Sequence, residues 1–281
     1  MHFSIKKILD LPFYTEGPVA DGDGNFLFTT LTGGFIGKID KRGTYSVWAE
    51  AACPNGQVVL KDGSHLVCDS KEASIKRFDK SGNFIENKVQ GICAGSKVYC
   101  PNDLITDTAG NIYFTDSVRE TGKVFFQSSD GKEIVVAENM DYPNGLVLSG
   151  DGKQLFVAES YQNRIMMVPL AAPGIVLGKP EVFARLPAHF SGEITGNLPD
   201  GLARDQEGNL WAAHYGMSAV QVLSPEGNFL FSIDTTLPLT SNLCFVQENE
   251  LTRTILVTGG YGEPGPGAVL MITVYLQSLK C

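Results

Sequence analysis

Apolar runs of four to six residues, rich in Val, Ile, Phe and Tyr, alternate with polar, Gly-containing turns along the whole chain. Segments 25–30, 65–68, 112–115, 154–158 and 210–213 are examples. Each is too short for a helix, and β-branched and aromatic residues favour strands. No stretch carries the apolar period of an amphipathic helix. The pattern therefore predicts an all-β protein.

The runs also repeat. A polar residue, an apolar strand, a turn and a second apolar strand follow one another from Glu16, Asn55, Asn102, Asn144, Asp200 and Asn242. The copies recur roughly every 40–50 residues, the length of a four-stranded propeller blade. Further hairpin turns at 40–43, 79–82, 128–131 and 224–227 supply the outer strands of several copies. Six copies predict one six-bladed β-propeller domain spanning 1–281. The last copy is a strand short, and segment 2–9 alternates suitably. It is expected to form the outermost strand of the last blade, which closes the ring and removes an unpaired edge. The Gly-His and Trp-Asp dipeptides of WD40 blades are absent.

In such a blade the first strand lines the central channel and the second returns to the same face. The six starting residues should therefore meet at one mouth. The second-strand ends, Thr30, Asp69, Asp116, Glu159, His214 and Gly259, are expected beside them. Bare carboxylates buried there would each cost several kcal/mol. A hard divalent cation with oxygen ligands removes that cost. Two long connections, 86–101 and 186–199, are expected over this mouth as lids or substrate walls. The second carries His189, Phe190 and Glu193.

Composition narrows the alternatives. A formal net charge of −9 argues against nucleic acid and anionic membranes as partners. No apolar run of about 18 residues is present, and residues 1–10 lack the apolar core of a signal peptide, so a cytoplasmic location is expected. Six cysteines without a C-x-x-C pair are expected to be free thiols. A monomer or small homo-oligomer is expected.

Four tripeptides in register with the repeats then carry a likeness: Glu16-Gly17-Pro18, Pro101-Asn102-Asp103, Pro143-Asn144-Gly145 and Pro199-Asp200-Gly201. Together they resemble the senescence-marker-protein/gluconolactonase, or regucalcin-like, family of propeller lactone hydrolases. The resemblance implies one divalent metal held by Glu16, Asn144 and Asp200. It places Asn102 beside the metal, against substrate or water. Cys100 stands where the animal sugar-lactone enzymes carry an Arg, and a small residue there fits the bacterial members better. Glu120 is the nearest match to a sugar-binding Glu of some members.

Lactone opening needs a polarised carbonyl, a water nucleophile and a stabilised oxyanion. Asp200 is the expected general base, with Glu16 as its competitor. Asn102 is an expected donor to the oxyanion. Cys100, Glu120, His189 and His214 are the further candidates for substrate contact. Ser117 and Ser160 lack a Gly-x-Ser-x-Gly context, so a serine triad is not expected. Asp103 is expected to bond its own turn. Oxygen donors suit Ca²⁺ best, with Mg²⁺, Mn²⁺ or Zn²⁺ as alternatives. Rival readings are hydrolysis of another ester or a phosphotriester, and a non-catalytic calcium-binding propeller.

Overall fold

The structure is a computed structural model that describes residues 2–276. Those residues form six antiparallel sheets. Blade 1 contains strands Glu16–Ala20, Phe26–Thr29, Phe35–Ile39 and Tyr45–Glu50. Blade 2 contains Pro54–Val59, His65–Asp69, Ser74–Phe78 and Phe84–Gln90, and blade 3 contains Pro101–Thr106, Ile112–Asp116, Gly122–Gln127 and Glu133–Met140. Blade 4 contains Pro143–Leu148, Gln154–Glu159, Arg164–Ala172 and Glu181–Arg185. Blade 5 contains Leu198–Arg204, Leu210–Tyr215, Ala219–Leu223 and Phe229–Asp234. Blade 6 contains Leu239–Glu248, Thr252–Gly260 and Gly267–Tyr275, and His2–Leu11 pairs antiparallel with the last of these. The N-terminal strand therefore closes the ring, as its alternation predicted.

The first strands of successive blades touch one another around the ring, including blade 6 against blade 1. The apolar core is divided accordingly into wedges between blades. Trp211, Val222 and Leu243 belong to the wedge between blades 5 and 6. Tyr113, Phe126 and Leu155 belong to that between blades 3 and 4. The wedges flanking blade 1 are smaller, built around Leu27 and Val67 on one side and Phe28 and Leu256 on the other. Burial of apolar surface between neighbours thus locks the ring and leaves the channel free for polar groups.

One expectation needs adjustment. Segment 86–101 is not all loop: the outer strand of blade 2 runs to Gln90, and a small hairpin, Ile92–Cys93 with Ser96–Lys97, follows. Of the cysteines, Cys68 and Cys93 are buried while Cys53, Cys100 and Cys244 are half-buried; all five are free thiols. Cys281 lies outside the described residues. Among the described residues no helix is long and apolar enough to cross a membrane.

Candidate active site

Every blade carries an irregularity at the start of its innermost strand. Register slips between Glu16 and Val19, Pro54 and Gln57, Pro101 and Leu104, Pro143 and Leu146, Pro199 and Leu202, and Thr240 and Asn242. A bulge re-aims the residue it frees from the ladder. Here that residue is in each case the polar starting residue or its neighbour. Where a glycine follows, as at Gly17, Gly56, Gly145 and Gly201, it is a packing requirement. A Cβ on Gly17 would sit 2.4 Å from the Asn55 carbonyl oxygen, and one on Gly145 would sit 2.3 Å from that of Asp200. The inner strands approach so closely that only glycine fits between them.

The result is one cavity of about 280 Å³ whose lining includes Glu16, Asn55, Asn102, Asn144 and Asp200. Tyr14, Tyr142, Tyr161 and Tyr215 form an aromatic wall, and Glu263 joins the lining with its carboxylate hydrogen-bonded to Tyr215. Asn242, the sixth starting residue, is not in the lining; its amide is hydrogen-bonded to Glu16 and Asp103. Asp103 accepts the Leu104 N–H at 2.9 Å, the local bond expected of it.

Among the described residues no Lys or Arg lines this cavity. Burial therefore raises the Glu16 carboxyl to about 8, relieved in part by the Gly17 N–H at 3.1 Å and aggravated by Asp103. Asp200 is pushed well above the usual carboxylate range by burial and then by Glu16, Asp103 and Glu263, with the Asn144 amide opposing. Asn55 Oδ1 is a buried acceptor without a partner. Among the described residues no three His, Cys, Asp or Glu side chains gather as a metal centre. The donor set here is instead two carboxylates and carboxamide oxygens. Two buried carboxylates, an orphan amide oxygen and no cation nearby fit an oxygen-coordinated divalent ion.

The remaining candidates lie elsewhere. His214 is fully buried within blade 5, where the Gln221 side-chain amide approaches its Nδ1 at 3.3 Å. Burial lowers its pKa to about 4, opposed by the Asn197 backbone. Its ring is part of the blade and not of the cavity lining. Cys100 is half-buried outside the lining, and burial pushes its thiol pKa up, which disfavours the reactive thiolate. Glu120 is exposed on a tight turn at φ +61° that carries its side chain outward. His189 is held in its own loop, with Nδ1 2.8 Å from Ser191 Oγ and its ring against Phe190. That loop reaches the cavity through Thr195 and Leu198 instead.

The second-strand carboxylates also turn away from the mouth. Asp69 accepts the N–H groups of Ala52 and Cys53 at 2.9 and 3.1 Å, and pairs with Lys76 at 2.9 Å. Asp116 accepts those of Tyr99 and Cys100 at 3.0 and 2.6 Å. Glu159 accepts the Asp141 N–H at 2.8 Å and the Arg164 guanidinium at 2.5 Å. The physical reason is local. The chain enters these innermost strands through Pro54, Pro101 and Pro143, which have no N–H, so the preceding amides lack ladder partners. The facing carboxylates supply them.

Tyr14, Tyr142, Tyr161 and Glu263 escaped the reading of the sequence because they sit on connections, and Tyr215 because it lies one residue past His214 at the end of its strand. Only Glu263 left a trace, as the lone carboxylate in the Gly- and Pro-rich rim segment 259–267.

Comparison with known proteins bears on this geometry. A model of the SMP-30/Gluconolactonase/LRE-like region matches residues 14–259. Lactonase drp35 of Staphylococcus haemolyticus is 30% identical over 79% of this chain and 69% of its own length. The drp35 lactonase of Staphylococcus saprophyticus is 32% identical over 76% of this chain and 67% of its own. A gluconolactonase from Xanthomonas campestris superposes with a TM-score of 0.80 at 25% identity, covering 95% of this chain and 88% of that one. The calcium-binding protein regucalcin from Agrobacterium tumefaciens shares the fold at a TM-score of 0.75 and 20% identity, over 97% and 94% of the two chains. With the family match extending over most of its length, the chain belongs to the SMP-30/gluconolactonase/LRE-like family.

Proposed function

We propose that this protein is a hydrolase that opens lactone rings in the cavity at the channel mouth, with one divalent cation held by Glu16, Asn144 and Asp200. The observation that carries this reading is the pair Glu16 and Asp200, buried together without a basic partner among amide oxygens. The lactonase and gluconolactonase relatives supply the substrate class. Ca²⁺ is the favoured ion, given the all-oxygen donors and a relative named as calcium-binding.

A cation bound there would supply Lewis-acid polarisation of the ring carbonyl and acidify water. The chain's own groups do the rest. Asp200 accepts the proton of the attacking water on the carboxylate oxygen that is not committed to the cation. The water oxygen bonds to the carbonyl carbon, the ring C–O bond breaks, and the proton passes from Asp200 to the departing alkoxide. Asn102 donates an amide N–H to the oxygen on which negative charge develops. The tyrosine wall narrows the site around a ring-sized substrate and limits the water admitted.

The test is acid release from a panel of aldonolactones and simple γ- and δ-lactones, with and without chelator. Turnover abolished by chelator, restored by Ca²⁺ and reduced at least about 100-fold in Asp200→Asn supports the reading. Absence of turnover on every lactone by the cation-loaded protein would overturn it.

A further inference from the structure

Serine hydroxyls recur at one place in the ring. Ser70 Oγ donates to the Pro101 carbonyl at 2.8 Å, Ser117 Oγ to that of Pro143 at 2.5 Å, and Ser160 Oγ to that of Pro199 at 2.7 Å. Ser241 Oγ donates to the Thr15 carbonyl at 2.9 Å. Each acceptor belongs to the residue immediately before Asn102, Asn144, Asp200 or Glu16. Each donor comes from the preceding blade of the ring. The bonds therefore cross the blade boundary and tie down the peptide from which each side chain enters the cavity.

Ser160 does more than its counterparts. It is almost fully buried, lines the cavity, and also receives the Asn144 amide, with Nδ2 at 3.3 Å from its Oγ. A hydroxyl has one proton. That of Ser160 is committed to the Pro199 carbonyl, so its oxygen can only accept from Asn144. The amide then turns its nitrogen to Ser160 and to the Asp200 carboxylate, and is left with its oxygen free for the cavity.

On the reading that Glu16, Asn144 and Asp200 hold a cation, we infer that Ser160 is a positioning residue for that site, one hydroxyl fixing both the amide orientation of Asn144 and the backbone seat of Asp200. Ser117 fixes only the seat of Asn144. Ser70 seats Asn102, which is not among the cation ligands.

The experiment is calorimetric titration of Mn²⁺ and, separately, Ca²⁺ into the chelator-stripped full-length protein and its Ser160→Ala, Ser117→Ala and Ser70→Ala variants. Thermal unfolding of each metal-free variant is measured alongside. Loss of a group that orients a metal ligand typically weakens affinity about 10–100-fold. That range is expected for Ser160→Ala, a few-fold loss for Ser117→Ala, and no loss beyond about twofold for Ser70→Ala, the reference for a purely structural pin. Equal losses in Ser160→Ala and Ser70→Ala, or wild-type affinity in Ser160→Ala, overturn the inference alone. Failure of the wild-type protein to bind either ion overturns the cation reading and this inference with it. If Ser160→Ala does not fold, Ser117→Ala against Ser70→Ala decides: a loss confined to Ser117→Ala supports the ordering, and equal affinities refute it.

Discussion

Glu16 and Asp200 at the channel mouth are 5% and 7% exposed; Asp69 and Glu159, at the ends of second strands, are 0% and 3% exposed. Burial is the same, but the surroundings are opposite. Asp69 accepts three loop N–H groups and pairs with Lys76, and Glu159 accepts one and pairs with Arg164. Glu16 and Asp200 instead face each other with no basic residue in the cavity lining. The first kind of acid is finished by the fold. The second kind is left incomplete, and an incomplete pair of buried charges is where a fold keeps its capacity to bind and react. The difference teaches that burial alone does not mark a functional carboxylate. What marks it is the absence of a basic partner among its protein contacts.

That contrast can be broken by substitution. Glu16→Gln and Asp200→Asn should each lower kcat/KM for a lactone by about 10³-fold, close to 4 kcal/mol of barrier. The double variant should be little worse than either, because the two act as one site. Additive losses in steady-state kinetics would mean that they act separately. Metal-free Asp200→Asn should also be at least as stable as the metal-free parent, since it relieves repulsion between buried acids. Asp69→Ala should do the reverse. It leaves the Ala52, Cys53 and Glu72 amides without their acceptor and Lys76 with Glu72 alone, and urea unfolding should record a loss of about 3 kcal/mol. Turnover per folded molecule should be unchanged. Lost turnover with intact stability would place Asp69 in the site.

Much of this was legible in the sequence, and the reason is physical. Glu16, Asn102, Asn144 and Asp200 sit at bulges between tightly packed inner strands, so they carry a Gly or Pro neighbour that announces them. The closing strand was legible because one blade lacked a strand and His2–Leu11 alternated. The fate of Asp69, Asp116 and Glu159 was not legible, because it depends on which loop amides the prolines leave unpaired. His214 stays out of the cavity lining for a related reason: it occupies the position opposite Pro199 that the carboxylates hold in other blades. Tyr14, Tyr142, Tyr161 and Glu263 lie on connections whose paths no repeat dictates, while Tyr215 ends a strand.

Smaller effects sharpen the comparison. Saturating Ca²⁺ at about 100 times its dissociation constant should stabilise the wild-type protein by about 2.7 kcal/mol. Thermal unfolding should show this gain persisting in a folded Asp69 variant and vanishing in Glu16→Gln. His65 tests a buried polar group with no part in the site. It packs against Trp48 with ring centroids 4.5 Å apart and lies 3.3 Å from Gln57 Oε1, while Gln57 Nε2 donates to the Gly17 carbonyl at 2.7 Å. Burial lowers its pKa from 6.5 to about 4. The unfolded chain therefore binds the proton more readily, so the stability His65 contributes is present above pH 6.5 and lost as pH falls towards 4. The loss should be about 1–3 kcal/mol and should shrink in His65→Gln. An unchanged pH dependence of unfolding in that variant would assign the loss to other groups.

The central claim is that Glu16, Asn144 and Asp200 enclose one catalytically required cation. The most direct measurement is lactone hydrolysis by the chelator-stripped protein as Ca²⁺ is added back in the presence of a buffered free-ion series. Activity should rise from background to a plateau along a single-site isotherm that coincides with calorimetric binding at one ion per chain. Full hydrolysis by the stripped protein, indifferent to added ion, would contradict it.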